Sequence, residues 1–319
     1  MKLIIIFCLL FSSLLANTKL IELYRTSGIS AVESYLNKQL TYYEYWQNYL
    51  SKIDTNYGYY ESIENILKCD KNMENIEAYR YKNGKTTQVF KSKVLLGEIK
   101  GDKKTEGDLK TPLGVYEFSQ LKTKLDPFYG PLALVTNYPN SFDQIQGKTG
   151  SGIWIHGVPY EGKREPFTKG CIALENEQVT MLNQSIRYDN SVLIIGNETL
   201  KSSKEDLATI LSQIFSWKEA WQKGDLNSYL SFYGDEFKKS NGMNLKEFSK
   251  YKTRIFAKDE NKSIVYKDLN VIPYPNSLNK KMYKISYFQE YKASSFQSKD
   301  NKELYIELID NKIKILFES

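Results

Sequence analysis

The sequence predicts a multidomain α+β protein: a helical N-terminal module, an all-β middle domain, and a C-terminal domain with helices followed by an antiparallel sheet. Three observations support this fold class. A chain of 319 residues is longer than one hydrophobic core normally organises. Its apolar residues recur at helical spacing near the N-terminus, alternate through the middle third, and then repeat both patterns. Its 41% hydrophobic and 26% charged residues are typical of a globular protein.

The first 16 residues, MKLIIIFCLLFSSLLA, are typical of a secretory signal peptide. Lys2 precedes an apolar run that ends in small residues, and we expect cleavage between Ala16 and Asn17. The run is too short to span a bilayer comfortably, because a spanning helix needs about 20 residues. We therefore predict an exported protein and interpret Cys8 as part of the signal. An uncleaved signal that serves as a membrane anchor is the alternative.

Residues 17–75 are predicted to form a helical module. Apolar residues recur at helical spacing through this segment, and residues 41–50 (TYYEYWQNYL) contain five aromatic side chains. An aromatic stripe could bind sugar, but it is more often part of a core or of an interface between domains or subunits. We expect the module to dock on the rest of the chain, and it could also form a homodimer.

Residues 76–199 are predicted to form an all-β sandwich or barrel. Strand patterns at 76–81 and 86–90 flank the turn sequence Lys82-Asn83-Gly84, which favours a hairpin. Further strand patterns occur at residues 94–97, 111–118, 132–136, 152–156 and 192–195. Few long helical patterns separate them, as is typical of an all-β domain.

Residues 203–319 are predicted to form a separate α+β domain. Ser203 is the expected N-cap of a first helix, and helical spacing continues to about residue 233. Alternating patterns then occur at residues 264–266, 281–289, 303–308 and 312–317. We expect this domain to serve in packing or in interaction with a partner. A second nucleophilic site is not expected in it, because it contains no cysteine or histidine.

The stretch GIWIHGVPYEGKREPFTKGCIAL, residues 152–174, carries the residues best suited to covalent catalysis. It contains His156, the only histidine of the chain, and Cys171, one of three cysteines. A thiol needs a base, because the free thiol is mostly protonated at neutral pH. Either residue alone is usually structural. Together they suggest acyl transfer, with Cys171 as the nucleophile and His156 as its base.

Other chemistries lack the residues they need. One histidine and no CxxC or HExxH motif leave too few ligands for a His/Cys metal site, so we expect no metal and no cofactor. We interpret Cys69 as a core residue. The 44 Lys+Arg and 38 Asp+Glu residues are spread along the chain, which does not indicate nucleic acid binding.

Three short motifs occur in order in the middle domain: TPLG at residues 111–114, HG at 156–157 and TKGCI at 168–172. Together they resemble the L,D-transpeptidase catalytic domain, also called the YkuD domain, over roughly residues 76–197. The resemblance implies a thiol enzyme that acts on the stem peptides of peptidoglycan.

Longer segments resemble one branch of that family. YPNSFDQ, GIWIHGVP and TKGCIALEN are similar to the exported L,D-carboxypeptidases that set the shape of helical bacteria. The C-terminal helices resemble the conical α+β domain of the nuclear-transport-factor type, which follows the catalytic domain in those enzymes. The resemblance implies a periplasmic enzyme that influences cell shape and could have other cell-shape proteins as partners.

The resemblance and the residue chemistry together suggest how the base is held. In the family, a main-chain carbonyl after the histidine accepts a hydrogen bond from its second ring nitrogen, and here that carbonyl belongs to Gly157. Trp154 is expected to pack beside the histidine and narrow the pocket, although core packing alone is the more frequent role.

The residues just before the nucleophile are expected to bind substrate. N–H groups near Gly170 and Cys171 could form an oxyanion hole, since glycine lets the backbone approach the substrate closely. Thr168 is placed with them as a substrate-binding residue. Lys169 could stabilise the thiolate, bind a substrate carboxylate, or be a solvated loop charge.

Two departures from the family pattern bear on the reaction. Many transpeptidases have a histidine where this chain has Lys169, and an arginine where it has Ala173. By resemblance, these differences favour a carboxypeptidase over a cross-linking transpeptidase. A non-catalytic murein-binding scaffold is the alternative from another functional class.

Overall fold

The computed structural model describes residues 18–161 and 165–319. The predicted signal peptide, with Cys8 and the cut after Ala16, lies outside the described residues. Within them, no helix combines the length and the apolar character needed to cross a membrane. The N-terminal module contains α1 (residues 18–27), α2 (Ile29–Gln39) and α3 (Tyr43–Leu50).

The aromatic stripe of α3 packs against the C-terminal domain. Trp46 is buried, and its ring stacks on Phe215 of the C-terminal domain with centroids 5.5 Å apart. The Trp46 indole N–H donates a hydrogen bond to the carbonyl of Leu40, so its one polar group is satisfied. The expectation that this segment docks on the rest of the chain is therefore confirmed.

The helical prediction is wrong between residue 51 and residue 75. This segment instead contains β1 (Tyr59–Tyr60) and β2 (Asn65–Asp70). Strand β2 is buried along nearly its whole length and pairs in parallel with β9 (Ser191–Gly196). A strand covered on both faces lacks the apolar–polar alternation that identifies a strand in sequence. The domain boundary expected at residue 75 therefore moves to before Asn65.

The middle domain is built on one eight-stranded sheet, in the order β4-β3-β2-β9-β5-β6-β7-β8. Its remaining strands are β3 (Asn75–Lys82), β4 (Lys85–Lys93), β5 (Gly114–Lys122), β6 (Ala133–Thr136), β7 (Trp154–His156) and β8 (Ile172–Ala173). The chain after β4 returns to the far edge, where Leu95 and Ala173 exchange two backbone hydrogen bonds. The sheet thus closes on itself, which matches the β-rich fold predicted. Two short helices, α4 (Ser141–Ile145) and α5 (Asn176–Ser185), are added to it.

The C-terminal domain wraps a six-stranded sheet around a long helix. The helices are α6 (Lys204–Lys223), α7 (Leu226–Ser231) and α8 (Leu245–Phe256), and the strands are β10 (Tyr233–Lys239), β11 (Ser263–Tyr274), β12 (Met282–Lys292), β13 (Gln297–Ile309) and β14 (Lys312–Glu318). Ser203 caps α6 as predicted, because its hydroxyl accepts from the N–H of Asp206. The helix ends at Gly224, which adopts the left-handed conformation favoured by glycine. Strand β1 joins this sheet beside β11.

Charged and aromatic contacts join the C-terminal sheet to the middle domain. Lys284 of β12 is fully buried and makes ion pairs with Glu117 of the middle domain and with Glu303. Phe142 of α4 stacks on Tyr305 with ring centroids 4.8 Å apart. These contacts hold the C-terminal sheet against the middle domain.

Candidate active site

The candidate nucleophile and base lie on neighbouring strands. His156 ends β7, Cys171 immediately precedes β8, and the two strands pair in parallel with His156 opposite Ala173. Cys171 and Ala173 share one face, because side chains alternate along a strand. His156 is 1% exposed, whereas Cys171 is half-buried, and its thiol lies 3.3 Å from the carbonyl oxygen of Gly152. The structure therefore brings together the two residues predicted to act as a pair.

Two contacts hold the imidazole of His156, and a third holds its backbone. Its Nδ1 lies 2.6 Å from the carbonyl oxygen of Gly157, and its own carbonyl accepts from the N–H of Leu174. The Tyr129 ring contacts it edge-on, at a centroid distance of 5.0 Å. A carbonyl oxygen can only accept, so Nδ1 must carry the hydrogen, and neutral imidazole then has a lone pair on Nε2. This tautomer is the one a base for a thiol requires.

The loop before the nucleophile is organised by the hydroxyl of Thr168. This hydroxyl accepts a hydrogen bond from Gly170 N–H at 3.0 Å and donates one to the Cys171 carbonyl at 2.7 Å. The expectation for Gly170 must therefore be corrected, because its N–H already has an acceptor and is not an oxyanion donor in this conformation. The Thr168 hydroxyl, likewise, is used within the loop rather than presented to substrate.

Gly170 is needed for a different reason than the one expected. Its φ of +129° lies in the region that residues with side chains rarely adopt. A Cβ at this position would also come within 2.8 Å of the carbonyl oxygen of Lys110. Lys110 directly precedes the TPLG motif, so the structure brings that motif against the nucleophile loop.

Hydrogen bonds to neighbouring segments hold the TPLG motif in place. The Thr111 hydroxyl accepts from the N–H of Gly97, and the segment around Gly97 pairs with Thr168. The half-buried Lys71 ammonium donates to the carbonyls of Thr111 and Gly101. Burial lowers the pKa of Lys71 to about 8. Sequence reasoning missed Lys71, because a lysine within a supposedly helical module resembles any other surface charge.

Trp154 and Lys169 lie in different environments. Trp154 is half-buried, on the same face of β7 as His156, and packs on Tyr129 with ring centroids 5.1 Å apart. The Lys122 ammonium lies 4.9 Å from the centre of the Trp154 ring. Lys169 is exposed on the loop. Tyr129 thus lies between tryptophan and histidine, a role that its isolated PFYG turn sequence did not reveal.

Cys69 is a core residue, as expected from sequence. Its side chain is 2% exposed, and burial raises the pKa of its thiol to about 12. A thiol in this state is a poor nucleophile. Across residues 18–161 and 165–319, no group of three or more His, Cys, Asp or Glu side chains is placed to hold a metal ion.

The C-terminal domain contains a separate cavity of about 380 Å³. Its lining includes the aromatic ring of Trp221 and the charged groups of Lys252, Lys302 and Glu318. The Lys252 ammonium lies 4.4 Å from the centre of the Trp221 ring. No cysteine or histidine occurs in this domain, so it cannot form a second Cys/His pair.

Family profiles match two parts of the chain. The L,D-transpeptidase catalytic domain matches residues 65–194, and the Cds6 C-terminal NTF2-like domain matches residues 209–319. Among curated proteins, the L,D-transpeptidase homologue YafK of Escherichia coli K12 is 27% identical over 103 residues, or 32% of this chain. That match spans 37% of the length of YafK.

Two solved structures resemble the chain over most of its length. The helical cell shape determining protein Pgp2 of Campylobacter jejuni is 38% identical, with a TM-score of 0.83 over 88% of this chain and 99% of that one. Bd1075 of Bdellovibrio bacteriovorus is 23% identical, with a TM-score of 0.66 over 83% and 95% of the two chains, and shows the same fold. The chain therefore belongs to the L,D-transpeptidase (YkuD) family and carries an NTF2-like domain after the catalytic one.

Proposed function

We propose that the protein is a murein L,D-carboxypeptidase that removes the terminal D-alanine from tetrapeptide stems. The observation that carries the proposal is the Cys171–His156 pair on adjacent strands, with His156 Nδ1 held by the Gly157 carbonyl at 2.6 Å. This is the arrangement that a thiol nucleophile and its base need. Membership of the L,D-transpeptidase family supports peptidoglycan as the substrate.

The proposed reaction proceeds in two steps. His156 Nε2 takes the thiol proton, and the Cys171 thiolate attacks the carbonyl carbon at the L-centre of diaminopimelate. The C–N bond breaks, D-alanine leaves with a proton from the imidazolium, and a thioester remains on Cys171. Water then attacks the thioester, with His156 as its base, and the tripeptide and the free thiol are released.

Two positions favour water over an amine as the acceptor. Ala173 is fully buried on the same face of β8 as Cys171, so the arginine that many transpeptidases carry there is replaced by a methyl group. Lys169, where many have histidine, is exposed on the nucleophile loop, and its proposed role is to bind a substrate carboxylate. Both differences change how a second stem peptide would be held beside the acyl-enzyme.

The test is incubation of the protein with disaccharide tetrapeptide and analysis of the products by mass. Tripeptide and free D-alanine in equal amounts are expected, and Cys171→Ala should abolish both. Cross-linked dimers as the main product would instead show an L,D-transpeptidase. If Cys171→Ala retains the full effect on cell shape in the producing organism, the protein is a murein-binding scaffold.

We further propose that the protein acts in the periplasm and influences cell shape. The signal-like first 16 residues support export, and the similarity to Pgp2, described as a helical cell shape determining protein, supports the role in shape. Other cell-shape proteins are then the expected partners. Loss of helical or curved shape in a strain that carries only Cys171→Ala is the expected result.

We also propose that the N-terminal module forms a homodimer. Several large apolar side chains of α1 and α2 remain more than two-fifths exposed: Ile21, Tyr24, Ile29 and Leu36. A second copy of the same face would cover them. Light scattering should give twice the chain mass, and replacing Ile21 and Ile29 with glutamate should give monomers; a monomeric unaltered protein would contradict the proposal.

A further inference from the structure

We propose that Asn176 is a positioning residue for the catalytic histidine, acting through the peptide group between Gly157 and Val158. Asn176 is the first residue of α5, five positions after the nucleophile. Its side-chain oxygen accepts a hydrogen bond from the N–H of Val158 at 2.9 Å. That N–H belongs to the same peptide group as the carbonyl that accepts from His156 Nδ1.

The planarity of the peptide group makes this contact consequential. The N–H of Val158 and the C=O of Gly157 lie in one plane and point in opposite directions, because the C–N bond has partial double-bond character. Holding the N–H therefore fixes the direction of the C=O. The Asn176 amide thus sets the orientation of the group that holds the His156 ring and its tautomer.

Two glycines make room for the Asn176 side chain. A Cβ on Gly157 would clash with the Asn176 side-chain oxygen, and so would a Cβ on Gly130. Gly130 also has a φ of +71°, a conformation that favours glycine. On the other side, the N–H of Gly157 donates to the carbonyl of Tyr129 at 2.9 Å. The peptide groups on both sides of Gly157 are therefore held.

The contact also links the two halves of the site. Strand β8 follows Cys171 and leads, after Leu174 and one further residue, into α5. The Leu174 N–H donates to the carbonyl of His156, and Asn176 then reaches the next peptide group along that chain. The segment that carries the nucleophile thus also sets the orientation of the base. A shift of the His156 loop relative to Cys171 is opposed at two consecutive points.

The role of Asn176 in turnover rests on the proposed function. The test therefore uses a measurement that needs no substrate. The rate of Cys171 alkylation by iodoacetamide is measured from pH 5 to 10 by peptide mass, in the full protein. The variants are Asn176→Ala, which removes the acceptor, and Asn176→Asp, which keeps one. Gln178→Ala is the matched control, because it removes an amide from the same helical turn outside the site.

In Asn176→Ala, we expect the half-maximal alkylation rate at a pH higher by about one unit than in the unaltered protein. A loosely held imidazolium stabilises the thiolate less well. Tripeptide release should show kcat lower by about tenfold or more with KM within about twofold, since the change affects the base rather than substrate binding. Gln178→Ala should match the unaltered protein in both readings. Asn176→Asp keeps the acceptor and should therefore retain more of the rate than Asn176→Ala, although its added negative charge also favours the imidazolium.

An unchanged alkylation profile in a folded Asn176→Ala variant would overturn the inference, even if the melting temperature falls. If that variant does not fold, Asn176→Ser provides the same test with a hydroxyl too short to reach Val158, and an unaltered profile there has the same meaning. If Cys171 of the unaltered protein alkylates slowly at every pH, the proposed function fails first. The two failures are therefore distinguishable.

Discussion

Replacing Thr168 with valine should both destabilise the protein and slow its reaction. Valine has nearly the same shape as threonine but lacks the hydroxyl. Two hydrogen bonds are lost, the one from Gly170 N–H at 3.0 Å and the one to the Cys171 carbonyl at 2.7 Å. The backbone of residue 168 keeps its own bonds to Leu96 and Glu98, so the loop stays attached to the sheet.

The magnitude follows from the burial of the groups left behind. Thr168 is 5% exposed and Gly170 is buried, so water cannot readily replace the lost partner. Leaving a buried donor unsatisfied costs about 1–3 kcal/mol, and the lost bond to the carbonyl adds about 1 kcal/mol. We therefore expect the free energy of unfolding to fall by about 2–4 kcal/mol. A displacement of Cys171 by about 1 Å should slow the reaction by up to about a hundredfold.

The assay combines urea unfolding with the rate of tripeptide release from disaccharide tetrapeptide. Thr168→Ser is the control, because it keeps the hydroxyl and should retain most of the stability and rate. The reasoning is refuted if Thr168→Val is as active as Thr168→Ser while both are folded. That result would mean that the Thr168 hydroxyl does not determine where Cys171 lies.

Two further predictions concern buried lysines. Lys284→Ala should lower the free energy of unfolding by about 1.5–3 kcal/mol, because the charge-assisted hydrogen bonds of the buried ammonium to Glu117 and Glu303 are lost. The loss stays below that of a fully buried pair, because the Glu117 side chain is 48% exposed and its carboxylate keeps access to water. Lys284→Met should lose less, and a urea-unfolding loss below about 1 kcal/mol for alanine would contradict this. Burial lowers the pKa of Lys218 from 10.5 to about 8, so the unfolded chain binds more protons than the folded one between these pH values, and the contribution of Lys218 to stability rises with pH across that window. The difference in unfolding free energy between the unaltered protein and Lys218→Met should therefore rise by on the order of 3 kcal/mol from pH 8 to 10.5. Urea titrations of both proteins at each pH measure this difference. A difference that does not change with pH would refute the lowered pKa of Lys218.

Sequence alone predicted the fold class and pointed to the candidate nucleophile and base. His156 is the only histidine and Cys171 lies in a short Gly-rich loop beside an apolar run, so their pairing required no knowledge of distant contacts. The cap of α6 at Ser203 was equally local, because a capping side chain contacts the backbone three residues away. Patterns of this kind depend on residues that are close together in the chain, so they can be predicted from the sequence.

Tertiary structure decided what depends on distant partners. The sequence predicts a helical module where the structure has strand β2. This strand lies between β9 and β3 and is buried on both faces, so its residues lack the alternation of apolar and polar side chains that marks a half-exposed strand. The N–H of Gly170 was expected to meet substrate, but the fold gives it the Thr168 hydroxyl as acceptor. Each residue type always has the same hydrogen-bond donors and acceptors. Which partner each of them binds depends on the atoms that the folded chain brings within reach.

The contact of Asn176 with the His156 loop is also decided by the tertiary structure and not by the sequence pattern. Asn176 lies 18 residues after Val158 in the chain, yet neither this spacing nor the composition predicts an amide oxygen 2.9 Å from the Val158 N–H. Pairing of β7 with β8 and the turn into α5 create that distance. The sequence thus indicated the candidate reacting residues, and the closed sheet decided how they are held, because orientation arises from contacts between strands that are distant along the chain.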